Sequence, residues 1–91
     1  MSDGNVTGEI LKLTEKLDNM DAFRQLHKAV FRTAFDFLGS CFPPTRTEEY
    51  WTRVAQLMKN EIEGYADKRL VQRLIIAIWE YLDEVSKDMY G

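Results

Sequence analysis

Residues 67–88 read DKRLVQRLIIAIWEYLDEVSKD. Stepped at about 100° per residue, Leu70, Val71, Leu74, Ile75, Ile78, Leu82 and Val85 fall on one broad stripe, the signature of an amphipathic helix. Ile76 and Trp79 land on the opposite side, among Gln72, Arg73, Glu80 and Asp83. A helix apolar on one side packs on a core; one apolar on two sides needs a second covering surface. That cover is either another helix of the chain or a second copy of it.

The segment before it reads as the other arm of a helical hairpin. Over residues 46–63, Tyr50, Trp51, Val54, Leu57, Met58, Ile62 and Tyr65 share a face. Thr45 followed by Glu48 has the form of a capping box. Gly64 closes that helix and Asp67 is placed to cap the next. So short a turn makes the two helices antiparallel neighbours. Charges should fasten the pair: Glu61 and Glu63 beside Lys68 and Arg69, Arg46 near Glu84 and Asp88, and Arg53 near Glu80. Each exposed pair adds only ~0.2–1 kcal/mol.

Two further helices are expected upstream. Over residues 22–38, Phe23, Leu26, Val30, Phe31, Ala34, Phe35, Phe37 and Leu38 cover nearly half the circumference, as in a central core element. Asn19 or Asp21 caps that helix, and Gly39 supplies the left-handed residue that ends it. Ser40 to Pro44 form a stiff connector, because proline disfavours helix in itself and in the residue before it. Over residues 8–18, capped by Thr7, Ile10, Leu13 and Leu17 make a narrow stripe that Met20 extends. This short helix is the candidate intramolecular cover for Ile76 and Trp79. Residues 1–6 are polar and glycine-containing and read as a flexible terminus. The expected fold is thus all-α, a compact four-helix bundle over residues 7–91 with helices at about 8–18, 22–38, 46–63 and 67–88.

Composition narrows the function. Ninety-one residues with 45% apolar and 30% charged residues are the content of one ordinary globular domain. No apolar run approaches the ~20 residues that span a bilayer, and the start is neither basic nor apolar enough for a secretion signal. A cytoplasmic location is expected, in keeping with a single cysteine, Cys41, which excludes an internal disulfide. Fifteen acids against twelve bases leave a net charge of −3, which argues against a phosphate-backbone binder.

Few residues carry chemistry. His27, the one histidine, sits on the apolar face between Phe23, Val30 and Phe31, where it reads as a core histidine with one hydrogen bond; a general base or pH sensor is the sharper alternative. Glu61 falls within the apolar arc of its helix, and a buried carboxylate needs a partner. A His27–Glu61 pair across the core is therefore the candidate buried polar contact, with Arg69 or solvent as the other destination for Glu61. Cys41 follows a helix C-terminus, which disfavours thiolate, so it reads as a small buried apolar residue. Tyr50, Trp51 and Tyr81 stand at core spacing. Lys68, Arg69 and Arg73 open a helix after a short turn, as a DNA-reading helix-turn-helix does, but that helix is the most apolar in the chain and belongs in the core. No phosphate-cradling loop, nucleophile elbow, zinc spacing or calcium loop occurs. No catalytic residue, cofactor, metal or small-molecule substrate is expected, and the chain does not read as an enzyme.

The segment Glu49-Tyr50-Trp51 opening a helix, with Leu-Ile-Ile-Ala-Ile-Trp-Glu-Tyr-Leu at 74–82, resembles short uncharacterised helical proteins of bacterial prophages and mobile elements. The resemblance covers the C-terminal half, rests on core-forming residues and implies a small accessory protein without assigning any functional residue. The expected function is a non-enzymatic protein-interaction module, homodimeric, with Gln72, Arg73, Ile76, Trp79, Glu80 and Asp83 as the candidate interface. A two-fold axis near Ile76 would set Arg69 and Arg73 of one copy against Glu80 and Asp83 of the other, as self-complementary contacts require. The alternatives are a transcriptional or nucleic-acid accessory factor using Lys68, Arg69 and Arg73, or an inhibitor or immunity-type protein presenting Glu80, Asp83, Glu84 and Asp88 to a basic partner.

Overall fold

The computed structural model describes residues 2–91, with side chains from residue 19 onward. Its elements are three helices: α1 (Ser2–Cys41), α2 (Glu48–Glu63) and α3 (Arg69–Tyr90). The four-helix bundle expected from the sequence is therefore corrected to three helices, because the segments 8–18 and 22–38 are parts of one continuous α1. Nothing between them breaks a helix. Asn19 and Asp21 suit a helix start, yet inside a helix each costs at most about 0.7 kcal/mol relative to alanine. Asp21 also lies 3.9 Å from Arg24 one turn on. The segment 1–6, read as a flexible terminus, falls at the start of this helix, with Met1 outside the described residues.

α1 also runs past its expected stop. Gly39 has no positive φ and sits inside the helix. The chain leaves the helix only ahead of Pro43, where the Phe42 amide makes the last helical bond, 3.0 Å to the Leu38 carbonyl. Pro44 is fully buried in the connector. The cap of α2 is Thr47, two residues later than the expected Thr45. Its hydroxyl accepts from the Tyr50 amide at 3.3 Å, while Thr45 bonds to Thr47.

α2 runs back along α1, and α3, after the turn at residues 64–68, runs parallel to α1. Two contacts set that direction. Leu70 and Arg73 at the start of α3 share a groove with His27 and Phe31 of α1, and Ser86 near its end donates to the Thr45 carbonyl at 3.3 Å. The core is thin. Val30, Phe37 and Cys41 of α1 cluster with Val71, Ile75 and Leu82 of α3, Ala34 is also buried, and Val54 is the one fully buried apolar residue of α2. The predicted faces of α2 and α3 otherwise surround this core as half-buried side chains.

The hairpin covers α1 from about Leu26 onward, and Asn19 to Gln25 are exposed. The radius of gyration is 20.2 Å and the extents are 72 × 22 × 15 Å. A compact 91-residue domain has a radius near 12 Å, so the chain is a rod, not the expected compact bundle. Because α1 is continuous, its N-terminal part cannot fold back as a separate helix over Ile76 and Trp79. The side chains of Ile10, Leu13 and Leu17 lie outside the described residues.

Polar bonds tie the elements at both ends. The Tyr50 hydroxyl donates to the Cys41 carbonyl at 2.6 Å and Arg53 to the Ser40 carbonyl at 2.8 Å, while the Tyr65 and Thr33 hydroxyls are 2.7 Å apart. The ion pairs expected across the hairpin are absent among the described residues. Arg69 pairs instead with Asp67, Lys68 donates to the Tyr65 carbonyl, and Arg53 takes the bond to Ser40. Each of these long side chains finds a nearer acceptor at its own end of the fold.

Candidate interaction surface

Exposed aromatic residues on α1 and just past its end define an extended apolar surface among the described residues. Of the five phenylalanines only Phe37 is buried; Phe23, Phe31, Phe35 and Phe42 are 49%, 56%, 76% and 48% exposed. The expectation that Phe23, Phe31 and Phe35 join Phe37 in the core is corrected: Phe23 lies ahead of the part of α1 that the hairpin covers, and Phe31 and Phe35 lie too far around the helix. Phe35 stands about 160° around the helix from Phe37, so the two cannot face one core. Phe31, Phe35 and Phe42 instead share a second stripe within about 40° of one another.

That stripe borders α3. Phe31 lies in the groove lined by Leu70 and Arg73. One and two turns further along the same side of α3 come Leu74 and Ala77, followed by Tyr81. Tyr81, expected at core spacing, is 48% exposed. The α1–α3 face thus presents exposed rings around half-buried Leu38, Leu70, Leu74 and Ile78. Sequence reasoning missed this face, although the signal was present: an apolar arc on α1 as wide as the one that drew attention to Ile76 and Trp79.

Ile76 and Trp79 form a smaller patch on the α2 side of α3. They are 39% and 38% exposed, and Trp79 meets Trp51 edge to face at 6.2 Å, with Trp51 in turn edge-on to Tyr50 at 4.9 Å. Gln72, Arg73 and Glu80 around them are exposed, and Asp83 is half-buried with Lys87 3.0 Å away.

The structure does not bring the two candidate core polar residues together as a buried pair. His27 is exposed, its ring 6.1 Å from Phe23, and Glu61 is half-buried near the end of α2. No hydrogen bond or ion pair joins them among the described residues. His27 instead lies close enough to Asp67 to favour its charged form. The Asp67 carboxyl is held down to about 2, chiefly by its side-chain bonds from Arg69 at 2.7 and 3.0 Å and also by the Arg69 amide at 3.2 Å. The N-cap of α3 is Lys68, without a side-chain cap bond, and not the expected Asp67, which accepts from the Arg69 amide one residue further out. Burial pushes the Cys41 thiol and the Tyr50 phenol up, so neither is an activated nucleophile.

Among the described residues no group of three His, Cys, Asp or Glu side chains is placed to hold a metal ion, and no helix is long and apolar enough to cross a membrane. The groove between α1 and the start of α3 is open, with apolar walls and Arg69, Arg73 and His27 at its rim. The fold and surface define the class of arrangement, a three-helix rod with an unpartnered aromatic face. No family model, curated protein or solved structure matches the chain.

Proposed function

We propose that the chain is a small, non-enzymatic protein-interaction module that works as a homodimer through the α1–α3 face. The observation that carries this reading is the outward placement of Phe31, Phe35 and Phe42 on one stripe beside Tyr81. An aromatic side chain buries about 200 Å² when covered. On that figure of about 200 Å² per ring, the exposed fractions of Phe31, Phe35, Phe42 and Tyr81 leave roughly 450 Å² of aromatic surface in water. A stable dimer buries about 800 Å² per partner, and the half-buried leucines between the rings lie within the same face. An apolar patch of that size is as large as the largest on a typical monomer, and such patches are often interaction sites. The thin core points the same way, since a chain that buries so little alone gains most by burying more against a partner.

A protein partner fits the face better than nucleic acid does. All three residues of the basic trio opening α3 are exposed, but Lys68 and Arg69 are engaged at the turn by the Tyr65 carbonyl and by Asp67, and Arg73 forms no ion pair among the described residues. A reducing, cytoplasmic setting suits the free, buried Cys41, and an accessory role accords with the likeness to mobile-element proteins.

Sedimentation velocity from low to high micromolar concentration tests the reading. The expected result is a dimer that Phe35→Glu converts to a monomer with unchanged helix content, since Phe35 is 76% exposed within the protomer. A wild-type chain that stays monomeric throughout overturns it.

A further inference from the structure

Resting on the homodimer reading, we infer that the second copy docks antiparallel across the α1–α3 face, with the two-fold axis crossing α3 between Ala77 and Glu80 and α1 near Ala34. The argument is the distribution of charge along that face. α1 and α3 run parallel within one chain, so the face has two distinguishable ends. Lys28 and Arg73 mark the end where α3 begins, Glu84 and Asp88 the end where it finishes, and none of the four forms an ion pair among the described residues. Between them the face is aromatic. Arg73, Ala77, Glu84 and Asp88 fall within about 60° of one another around α3, so they look the same way.

Such a face is complementary to itself in one orientation. A parallel arrangement lays Arg73 on Arg73 and Glu84 on Glu84. The antiparallel arrangement lays Arg73 of each copy against Glu84 of the other, and does so twice, as a two-fold contact must. Ala77, a small residue beside the crossing, lets the two α3 backbones approach closely. On α1 the same axis sets Phe31 of one copy beside Phe35 of the other. It also brings Phe42 to the Arg24–Lys28 end of the partner, where a cation can lie over its ring.

Disulfide trapping reads the orientation directly. In a Cys41→Ala background, Ala77→Cys is expected to cross-link to itself on oxidation. Arg73→Cys and Glu84→Cys are expected to cross-link to each other when mixed and not to themselves. Self-linking of Arg73→Cys without the mixed product overturns the antiparallel arrangement and leaves the homodimer standing. A monomeric wild type removes both. Charge reversal supplies a second measurement that leaves buried Cys41 in place. Arg73→Glu and Glu84→Arg should each weaken the dimer about tenfold by reversing two symmetric contacts, and the double variant should recover most of that loss. Single reversals that leave the dissociation constant unchanged overturn the proposal.

Discussion

The hydroxyl oxygens of Thr33 and Tyr65 lie 2.7 Å apart, joining the middle of α1 to the turn between α2 and α3 across 32 residues of sequence. The bond is part-buried, and Tyr65 packs against the core. It anchors the closed end of the hairpin, where the ion pairs suggested by the sequence do not form. A hydrogen bond of this kind contributes about 0.5–1.5 kcal/mol net. Tyr65→Phe should therefore lower the melting temperature by roughly 4–8 °C for each kcal/mol lost in a domain of this size. Thr33→Val paired with it in a double-mutant cycle should show coupling. Strictly additive effects would mean that the two hydroxyls do not act on each other in solution.

Gly39 offers the opposite change. It lies inside α1 with ordinary helical backbone, is exposed, and a Cβ added there meets nothing within 4 Å. A glycine in a helix interior is about 0.5–1 kcal/mol worse than alanine. Gly39→Ala should raise the melting temperature, and a lowered value would show that this residue needs a conformation outside the helix.

That contrast explains what the sequence made legible. The periodicity of α2 and α3 located both helices and their core faces, because Val54, Val71, Ile75 and Leu82 recur at helical spacing and are buried as that spacing requires. Punctuation was the weak signal. Asn19, Asp21 and Gly39 each favour a helix end by only a fraction of a kcal/mol to one kcal/mol, less than a continuous backbone ladder recovers, so only the stronger stop at Pro43 held. The aromatic face was hidden for a related reason. Whether Phe31 and Phe35 are inside or outside depends on how many helices pack around α1, and two helices cover less of it than the expected three. Glu61 and His27 were read into a shared interior that the thin core does not provide.

Asp67 makes the fold sensitive to acid. Its carboxyl titrates near 2 in the folded chain against an ordinary value of 3.8. The folded state therefore binds this proton less readily than the unfolded state does. The contribution is whole above about pH 3.8 and disappears as the pH falls through 2. Asp67→Asn should be less stable than the wild type near neutrality, with the gap closing over that acid window. The site is open to solvent, so added salt should shrink the effect. Melting curves of both chains against pH check this, and a gap that persists unchanged into strong acid would assign the role of Asp67 to something other than its charge.

The two apolar patches on α3 make separable predictions. Ile76 and Trp79 lie toward α2, and part of Trp79 is already covered by Trp51. Ala77 and Tyr81 lie toward α1 and border the phenylalanine stripe. If association uses the α1–α3 face, Ile76→Lys should leave the dimer dissociation constant unchanged, and tryptophan emission should not shift on dilution because neither Trp51 nor Trp79 is in the contact. Phe35→Glu should abolish association in the same experiment. The reverse pattern, a monomeric Ile76→Lys with an intact Phe35→Glu dimer, would move the contact to the Ile76–Trp79 side, where Gln72, Arg73, Glu80 and Asp83 would form its rim. Both positions are exposed enough for the charge to reach water in the free chain, so circular dichroism of each variant should match the wild type and the difference between them reports the contact alone.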